Sequence, residues 1–297
     1  MAHYRTMAFE LTHERPLPDQ LRRIVRSELR KAGKALAGRA PSQETIHEAR
    51  KHVKKARAIL RLLRRGLGSH YDTEMKTLRV AAHALASIRD VDAMVATASS
   101  LHARYPAAVT AAAAKAVVRG LTARRRRVRA RAAPILGRAR KALERAHGSA
   151  PKRVEHATDF AAVRSGIVDM YRRAREAGNK LTPDSSPARF HHWRKRVKDL
   201  GHHISLFAGL HRAPRGRVKT LERLEELLGD DHDLATLRQV LVESPGLYGT
   251  PKSFTLMLGA VDRRQTSLRR RALALGQRAL AEKPRDVRDA VATWWKA

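Results

Sequence analysis

The sequence predicts an all-α fold, and three observations lead to it. Alanine, leucine, arginine and lysine dominate the chain, while the Val, Ile, Tyr and Phe alternation that marks strands is nearly absent. Apolar residues recur at helical spacing, as where Ala49, Val53, Ala56, Leu60, Leu63 and Leu67 fall on one stripe. The order of segments also repeats. His47-Glu48-Ala49-Arg50-Lys51-His52-Val53-Lys54 returns 144 residues later as His191-His192-Trp193-Arg194-Lys195-Arg196-Val197-Lys198, and both copies read H-x-x-R-K-x-V-K. Ile24-Val25 matches Ile167-Val168, Leu85 and Asp90 match Leu228 and Asp233, and Arg125-Arg126-Arg127 matches Arg269-Arg270-Arg271, at offsets of 143 or 144. Four helices per half then predict two four-helix bundles related by a pseudo-twofold axis, with a basic central groove between them.

Each element follows from local signals. Residues 1–15 read as an N-terminal arm. Pro16 and Pro18 open a first helix that runs to about Leu36, and Gly38 to Ser42 is a break. The first basic helix spans about 44–66 and stops near Gly66 and Gly68. A helix over 71–100 ends before Pro106, and a long Ala- and Arg-rich segment over 107–147 is expected to kink at Pro134 or Gly137. Residues 16–147 thus form the first half, and 148–157 read as a linker. The second half, 158–281, repeats the order. A helix over 158–178 is followed by the break Thr182 to Pro187, the second basic helix at 188–210, a helix at 215–243, a loop at 244–252 and a helix at 253–281. Residues 282–297 are a tail whose Trp294 and Trp295 are expected to pack back on a bundle end.

Charge narrows the function. The 62 Lys and Arg against 28 Asp and Glu leave a formal net charge of +34. Such a charge repels itself in the folded state, and solubility does not require it. With no cysteine there are no disulfides and no thiolate metal sites. No apolar run reaches the ~20 residues of a membrane span, and no apolar signal stretch follows the N-terminus, so a cytoplasmic protein is expected. On a helix, His47, Arg50, Lys51 and Lys54 fall within an arc of roughly 100°. Arg57 and Arg61 extend that stripe, and no carboxylate lies on it. In the second copy, His191, Arg194, Lys195 and Lys198 repeat it. Gly201 there replaces Arg57 and Asp199 replaces Lys55, while His202 carries the stripe one turn further. Two basic helix faces of this kind suit a polyanion. Arg30 with Arg173, and Arg126 with Arg270, correspond between the halves and are further candidates, although Arg124 to Arg127 wraps around its helix. Trp193 falls on the apolar side and is expected in the core. Asp90 and Asp233 are expected to pair with arginines.

The H-x-x-R-x-x-x-K-x-x-R helix from His47 to Arg57 is followed by Leu85-Ala86-Ser87-Ile88-Arg89-Asp90-Val91-Asp92. After the second basic helix comes Leu221-x-x-Leu224-x-x-Leu227-Leu228-Gly229-x-x-x-Asp233. This succession, over about residues 4–280, resembles the conserved histidine α-helical domain (CHAD) family. The resemblance implies two helical bundles around a basic groove and non-enzymatic binding of inorganic polyphosphate, without cofactor or metal. Family members stand alone or are fused to a triphosphate tunnel domain, whose Glu-x-Glu-x-Lys start is absent here. A stand-alone member is therefore implied, and with it a possible place on polyphosphate or polyhydroxyalkanoate granules, among granule-associated proteins.

The residues suit that ligand. Polyphosphate offers charge and oxygen acceptors but no bases, and only 4% of the chain is aromatic. Sequence-tolerant single-strand binders interleave aromatic residues for stacking. Arg50 and Arg194 can grip phosphate oxygens bidentately, while lysines act as point charges. His47 and His191 are expected to gain protons when a polyanion binds, with Lys and Arg charged throughout. Two alternatives remain. A nucleic-acid binder is allowed by charge, but no helix-turn-helix or RNA-recognition signature is present. A metal-dependent phosphohydrolase would use His191, His232-Asp233 and Asp262. Against it, Arg89 stands where the second half has His232, and no carboxylates are expected near the basic helices.

Overall fold

The computed structural model describes residues 9–38 and 41–296, and these form an all-α fold without strands. The first half contains α1 (Leu17–Ala35), α2 (Gln43–Leu62), the single turn α3 (Arg64–Leu67), α4 (His70–Arg104), α5 (Ala111–Ala130) and α6 (Ala132–His156). The second contains α7 (Phe160–Asn179), α8 (Pro187–Ser205), α9 (Ala213–Glu243), α10 (Pro251–Ala279) and α11 (Pro284–Lys296). Side-chain caps start several of them: Ser42 Oγ accepts from Thr45 N–H at 3.3 Å, and Asp159 Oδ1 from Ala162 N–H at 2.6 Å.

In the first half, α1 and α4 each pack on both α2 and α6, closing a four-helix ring. In the second, α7 and α9 each pack on both α8 and α10, and α11 lies on α7. The halves meet where α2 lies against α8 and α7, α4 against α9, and α5 against α10. Helix α2 is therefore enclosed on several sides. Besides the apolar stripe read from the sequence, it buries Ala58, Ile59 and Leu62. Small residues at Ala56 and Ala58 admit close neighbours there.

Three expectations need correction. The helix break near Pro134 falls at Arg131, not at Pro134 or Gly137. Proline has no N–H for the carbonyl of Ala130 and its ring crowds that turn, so α5 ends at Ala130 and Pro134 sits in the first turn of α6. The expected linker 148–157 is helical through His156 despite Pro151. Ala146, Ala150 and Val154 are all fully buried at four-residue spacing, and this packing outweighs the lost hydrogen bond. The expected tail 282–297 holds a helix. Val287, Val291 and Trp294 bury its inner face, and Trp295 stacks on Phe160 at 5.1 Å, as expected of the tryptophan pair. Of the expected arm, residues 1–8 lie outside the described residues, as do 39 and 40 of the Gly38–Ser42 break. Phe9 and Leu11 are buried, and Leu11 N–H donates to the Leu206 carbonyl at 2.7 Å, tying the arm to the second half.

Trp193 is 1% exposed and is the largest fully buried side chain among the described residues. A Cβ at Gly276 would lie 2.5 Å from its ring, whereas one at Gly259 in the same helix meets nothing within 4 Å. Gly276→Ala should therefore destabilise the fold by about 1–3 kcal/mol through overpacking. Gly259→Ala should stabilise it by about 0.5–1 kcal/mol through helix propensity. Urea unfolding of both variants checks the contrast, and equal effects would contradict the packing at Trp193.

Candidate functional site

A cleft of about 860 Å³ opens along α8, with α2 and α9 as its other walls. Helix α2 contributes His47, Lys51, Lys54 and Lys55, and α8 contributes Arg194, Lys198 and His202. Arg89 of α4 and Arg215 and Lys219 of α9 also line it. Gly201, where the first repeat has Arg57, also lines the cleft. The two basic helices thus present cations to a shared space, because each packs its apolar stripe into its own bundle.

The cations crowd one another. Burial, then the charges of Lys198, Arg50 and Arg194, hold the Lys54 ammonium down to about 7. Burial also lowers Arg50. Neither Arg50, Lys54 nor Arg194 makes an ion pair among the described residues, and Arg194 Nε is buried without a partner. The expectation that lysines stay charged through neutrality is thereby corrected: Lys54 titrates there. His191 is held down to about 4 by burial and by Lys195 and Arg194, well below the neutral range assumed for it. Burial and Lys54 also lower His47.

Carboxylates stand closer than the sequence suggested. Glu10, Glu222, Glu225, Glu226, Asp230 and Asp233 all line the cleft. Most come from α9, and Glu225 lies 27 residues from Lys198 in sequence but beside it in space. Glu225 accepts an ion pair from Lys198. Arg89 grips Asp233 with two hydrogen bonds of 2.9 and 3.0 Å, across the junction of the halves.

The remaining candidates are dispersed. His191 does not line the cleft. Its ring lies 4.3 Å from that of His232, also held down to about 4, and its Nδ1 is buried without a partner. Arg61 pairs with buried Asp199 of α8 at 2.7 Å, another tie between the halves. Arg57, held down to about 10 by burial and Arg61, lies with that pair, and so does Lys195. Arg30, Arg126 and Arg270 are exposed on α1, α5 and α10 and none lines the cleft. Arg173 lines a separate cavity with His192 and Arg196. Sequence reasoning missed Lys55, Arg89, Arg215 and Lys219. Lys55 lies just off the arc of the basic stripe, and Arg215 and Lys219 open a helix read for its leucines and for His232 and Asp233, not for its cations.

The hydrolase set is not assembled. Asp233 is held by Arg89, Asp262 pairs with Arg238 at 3.0 Å on the exposed side of α10, and no group of three metal-ligating side chains occurs among the described residues. No described helix is long and apolar enough to cross a membrane.

His203, at 0% exposure, locks α8 to α2 through a 2.8 Å contact between Nε2 and the Ala58 carbonyl. Burial holds its pKa at about 4, against 6.5 for a free imidazole. The unfolded chain thus binds the proton first. This contribution is complete above pH 6.5 and is lost as pH falls toward 4, on the order of 3 kcal/mol in all. His203→Gln keeps the donor and should make stability fall less steeply over that window in urea titrations. An unchanged slope would contradict a buried neutral His203.

The CHAD domain profile matches residues 21–242. The fold is similar to the crystal structure of the CHAD domain from the plant Ricinus communis. The TM-score is 0.72 and the identity 20%, over 95% of this chain and 97% of that one. It is also similar to PptA from Streptomyces chartreusis, with a TM-score of 0.66 and 17% identity, over 90% of this chain and 100% of that one. No curated protein matches the chain. The matched segment takes in both basic helices and the helices that wall the cleft, and the chain belongs to the CHAD domain family.

Proposed function

We propose that the protein binds inorganic polyphosphate without catalysis, in the cleft between α2, α8 and α9. One observation carries this reading: Lys54 and Arg194, drawn from both repeats, line the cleft with no ion pair among the described residues, and the charge of Arg50 beside them adds to the crowding. Their mutual repulsion is relieved when an anion arrives, so part of the binding free energy is prepared in the free fold. The pairing of α2 with α8 and of α4 with α9 supports a pseudo-twofold relation between the halves. A linear phosphate chain lying along α8 would then meet cations from each half.

The cleft disfavours bases. Phe9 is the one Phe, Tyr or Trp among its described lining residues. Its ring is engaged edge-on by His202 at 5.9 Å and covered by the Lys55 ammonium at 4.8 Å, so no free ring is left for stacking. Polyphosphate is therefore preferred over nucleic acid, which any surface of this charge would hold loosely. A cytoplasmic place on polyphosphate or polyhydroxyalkanoate granules, among granule proteins, follows from this reading. Competition between long-chain polyphosphate and duplex DNA at matched phosphate concentration and salt tests it. Polyphosphate should win by at least about tenfold, the gain from one or two well-placed charged hydrogen bonds, and equal competition would contradict the reading.

Charge reversal at Lys54 with Arg194 should weaken polyphosphate binding far more than reversal at the dispersed pair Arg126 and Arg270. With about six to ten phosphates neutralised, affinity should fall roughly 10³- to 10⁵-fold between about 50 and 200 mM salt, by analogy with duplex DNA. A filter-binding or titration series checks both, and equal losses from the two pairs would mean attraction by net charge alone.

Proton linkage gives a further prediction. Lys54 has a pKa of about 7 in the free protein, and a bound polyanion raises it toward its ordinary value of 10.5. Between these values the complex holds more protons than the free protein, so affinity should decline as pH rises from about 7 toward 10 and level off below about 7. Lys54→Arg keeps the charge throughout and should flatten the profile. The same slope in parent and variant would rule Lys54 out as the titrating group.

A further inference from the structure

A second cavity, of about 250 Å³, opens between the C-terminal part of α7 and the N-terminal half of α8. Arg173, Lys180, Arg189 and Arg196 bring four cations to it, together with His192 and a single carboxylate, Glu176. Arg196 Nε is buried with no hydrogen-bond partner, and this guanidinium makes no ion pair among the described residues. Burial and the neighbouring Arg173 charge both disfavour its cationic form. Arg189 donates to the Lys180 carbonyl, which joins the two helices at one rim.

The repeat makes this arrangement informative. In the first half, the position of Arg196 is taken by His52, with Glu28 2.7 Å from its Nδ1 and Glu48 3.9 Å from its Nε2. The register places Tyr171 where α1 has Glu28, and His192 where α2 has Glu48. Tyr171 turns its hydroxyl away, donating to the Glu282 carbonyl at 2.9 Å. At these register positions the second half has thus replaced an imidazole and two carboxylates with a guanidinium, a tyrosine and a histidine. Asp169 lies 4.0 Å from Arg173 and Asp199 favours the Arg196 cation, yet Glu176 is the one carboxylate on the described lining, and a water molecule can satisfy the buried Arg196 N–H but cannot balance its charge.

We propose that this cavity is a second anion site, separate from the cleft, and that it takes a compact phosphate anion of one or two phosphoryl groups. The anion occupies the place that Glu28 and Glu48 fill in the first half. Arg196, Arg173 and Arg189 donate charge-assisted hydrogen bonds to its oxygens, and Lys180 adds a point charge. With less than a third of the volume of the cleft, the cavity suits a compact ion and not an extended chain. This site does not depend on what the cleft binds.

Calorimetric titration of the whole protein with pyrophosphate at constant ionic strength tests the proposal. The parent should bind it, and Arg196→Gln should weaken binding by about tenfold or more. His192→Glu restores on the exposed surface the carboxylate that the first half carries, and should weaken binding similarly while far-UV circular dichroism stays unchanged. The cleft variant Lys54→Gln with Lys219→Gln, which leaves α8 unchanged, should alter pyrophosphate affinity by no more than about twofold, within the scatter expected of distant sites. Absence of pyrophosphate binding by the parent overturns the proposal, as does retained affinity in Arg196→Gln or His192→Glu. A loss in the cleft variant as large as in Arg196→Gln would place the ion in the cleft and overturn it equally.

Discussion

Setting α2 against α8 forces two cationic helix faces into one space, and much of the surrounding structure offsets that repulsion. Asp199 neutralises Arg61, Asp233 neutralises Arg89, and Glu225 takes up Lys198, each from an element that the basic helix meets only in the folded chain. Other cations have no such partner among the described residues, and three of them crowd together. Arg50, Lys54 and Arg194 make no ion pair among the described residues, although Asp90 favours the Arg50 cation and Glu225 that of Lys54, and burial, then the charges of Lys198, Arg50 and Arg194, bring an ordinary lysine to lose its proton near neutrality. A core built for stability alone would not keep them there, because unpaired buried charge is among the most costly features a fold can carry.

The ties between the halves are short and specific. The Arg61–Asp199 pair, the bidentate Arg89–Asp233 pair and the His203 contact with the Ala58 carbonyl all cross the junction. The Arg61–Asp199 pair and the His203 contact join α2 to α8, and the Arg89–Asp233 pair joins α4 to α9 beside them, which opposes relaxation of the cations by moving apart. Pre-organisation of this kind lets an incoming anion gain from the charges without first ordering them. The carboxylates of α9 set a limit on the attraction. On the proposed reading, an anion that engages Lys198 competes with Glu225 for it, which favours ligands that make many contacts at once.

Much of this was legible in the sequence because it depends on local periodicity. The repeated H-x-x-R-K-x-V-K helices, the apolar stripe through Ala49 and Val53, and the core position of Trp193 all follow from spacing on one helix. What was not legible depends on packing between distant segments. Residues 148–157 look like a linker because Gly148 and Pro151 disfavour helix, yet Ala146, Ala150 and Val154 find a core that overrides them. The acidic wall of α9 was hidden because its residues lie far from the cations in sequence. The dispersal of Arg30, Arg126 and Arg270 shows the converse: matched repeat positions need not face the same cleft. The titration of Lys54 required knowing that Lys198 and Arg194 of the other half approach it.

The uncompensated charge at Lys54 is the centre of the account, and its titration can be followed directly by side-chain NMR. In the free protein its ammonium should lose its proton with a midpoint of about 7. With saturating long-chain polyphosphate the midpoint should move upward toward 10.5, the ordinary value for lysine. A midpoint near 10.5 without ligand would show that the cations are not crowded, and a midpoint near 7 that polyphosphate leaves unmoved would show that the anion does not bind beside them.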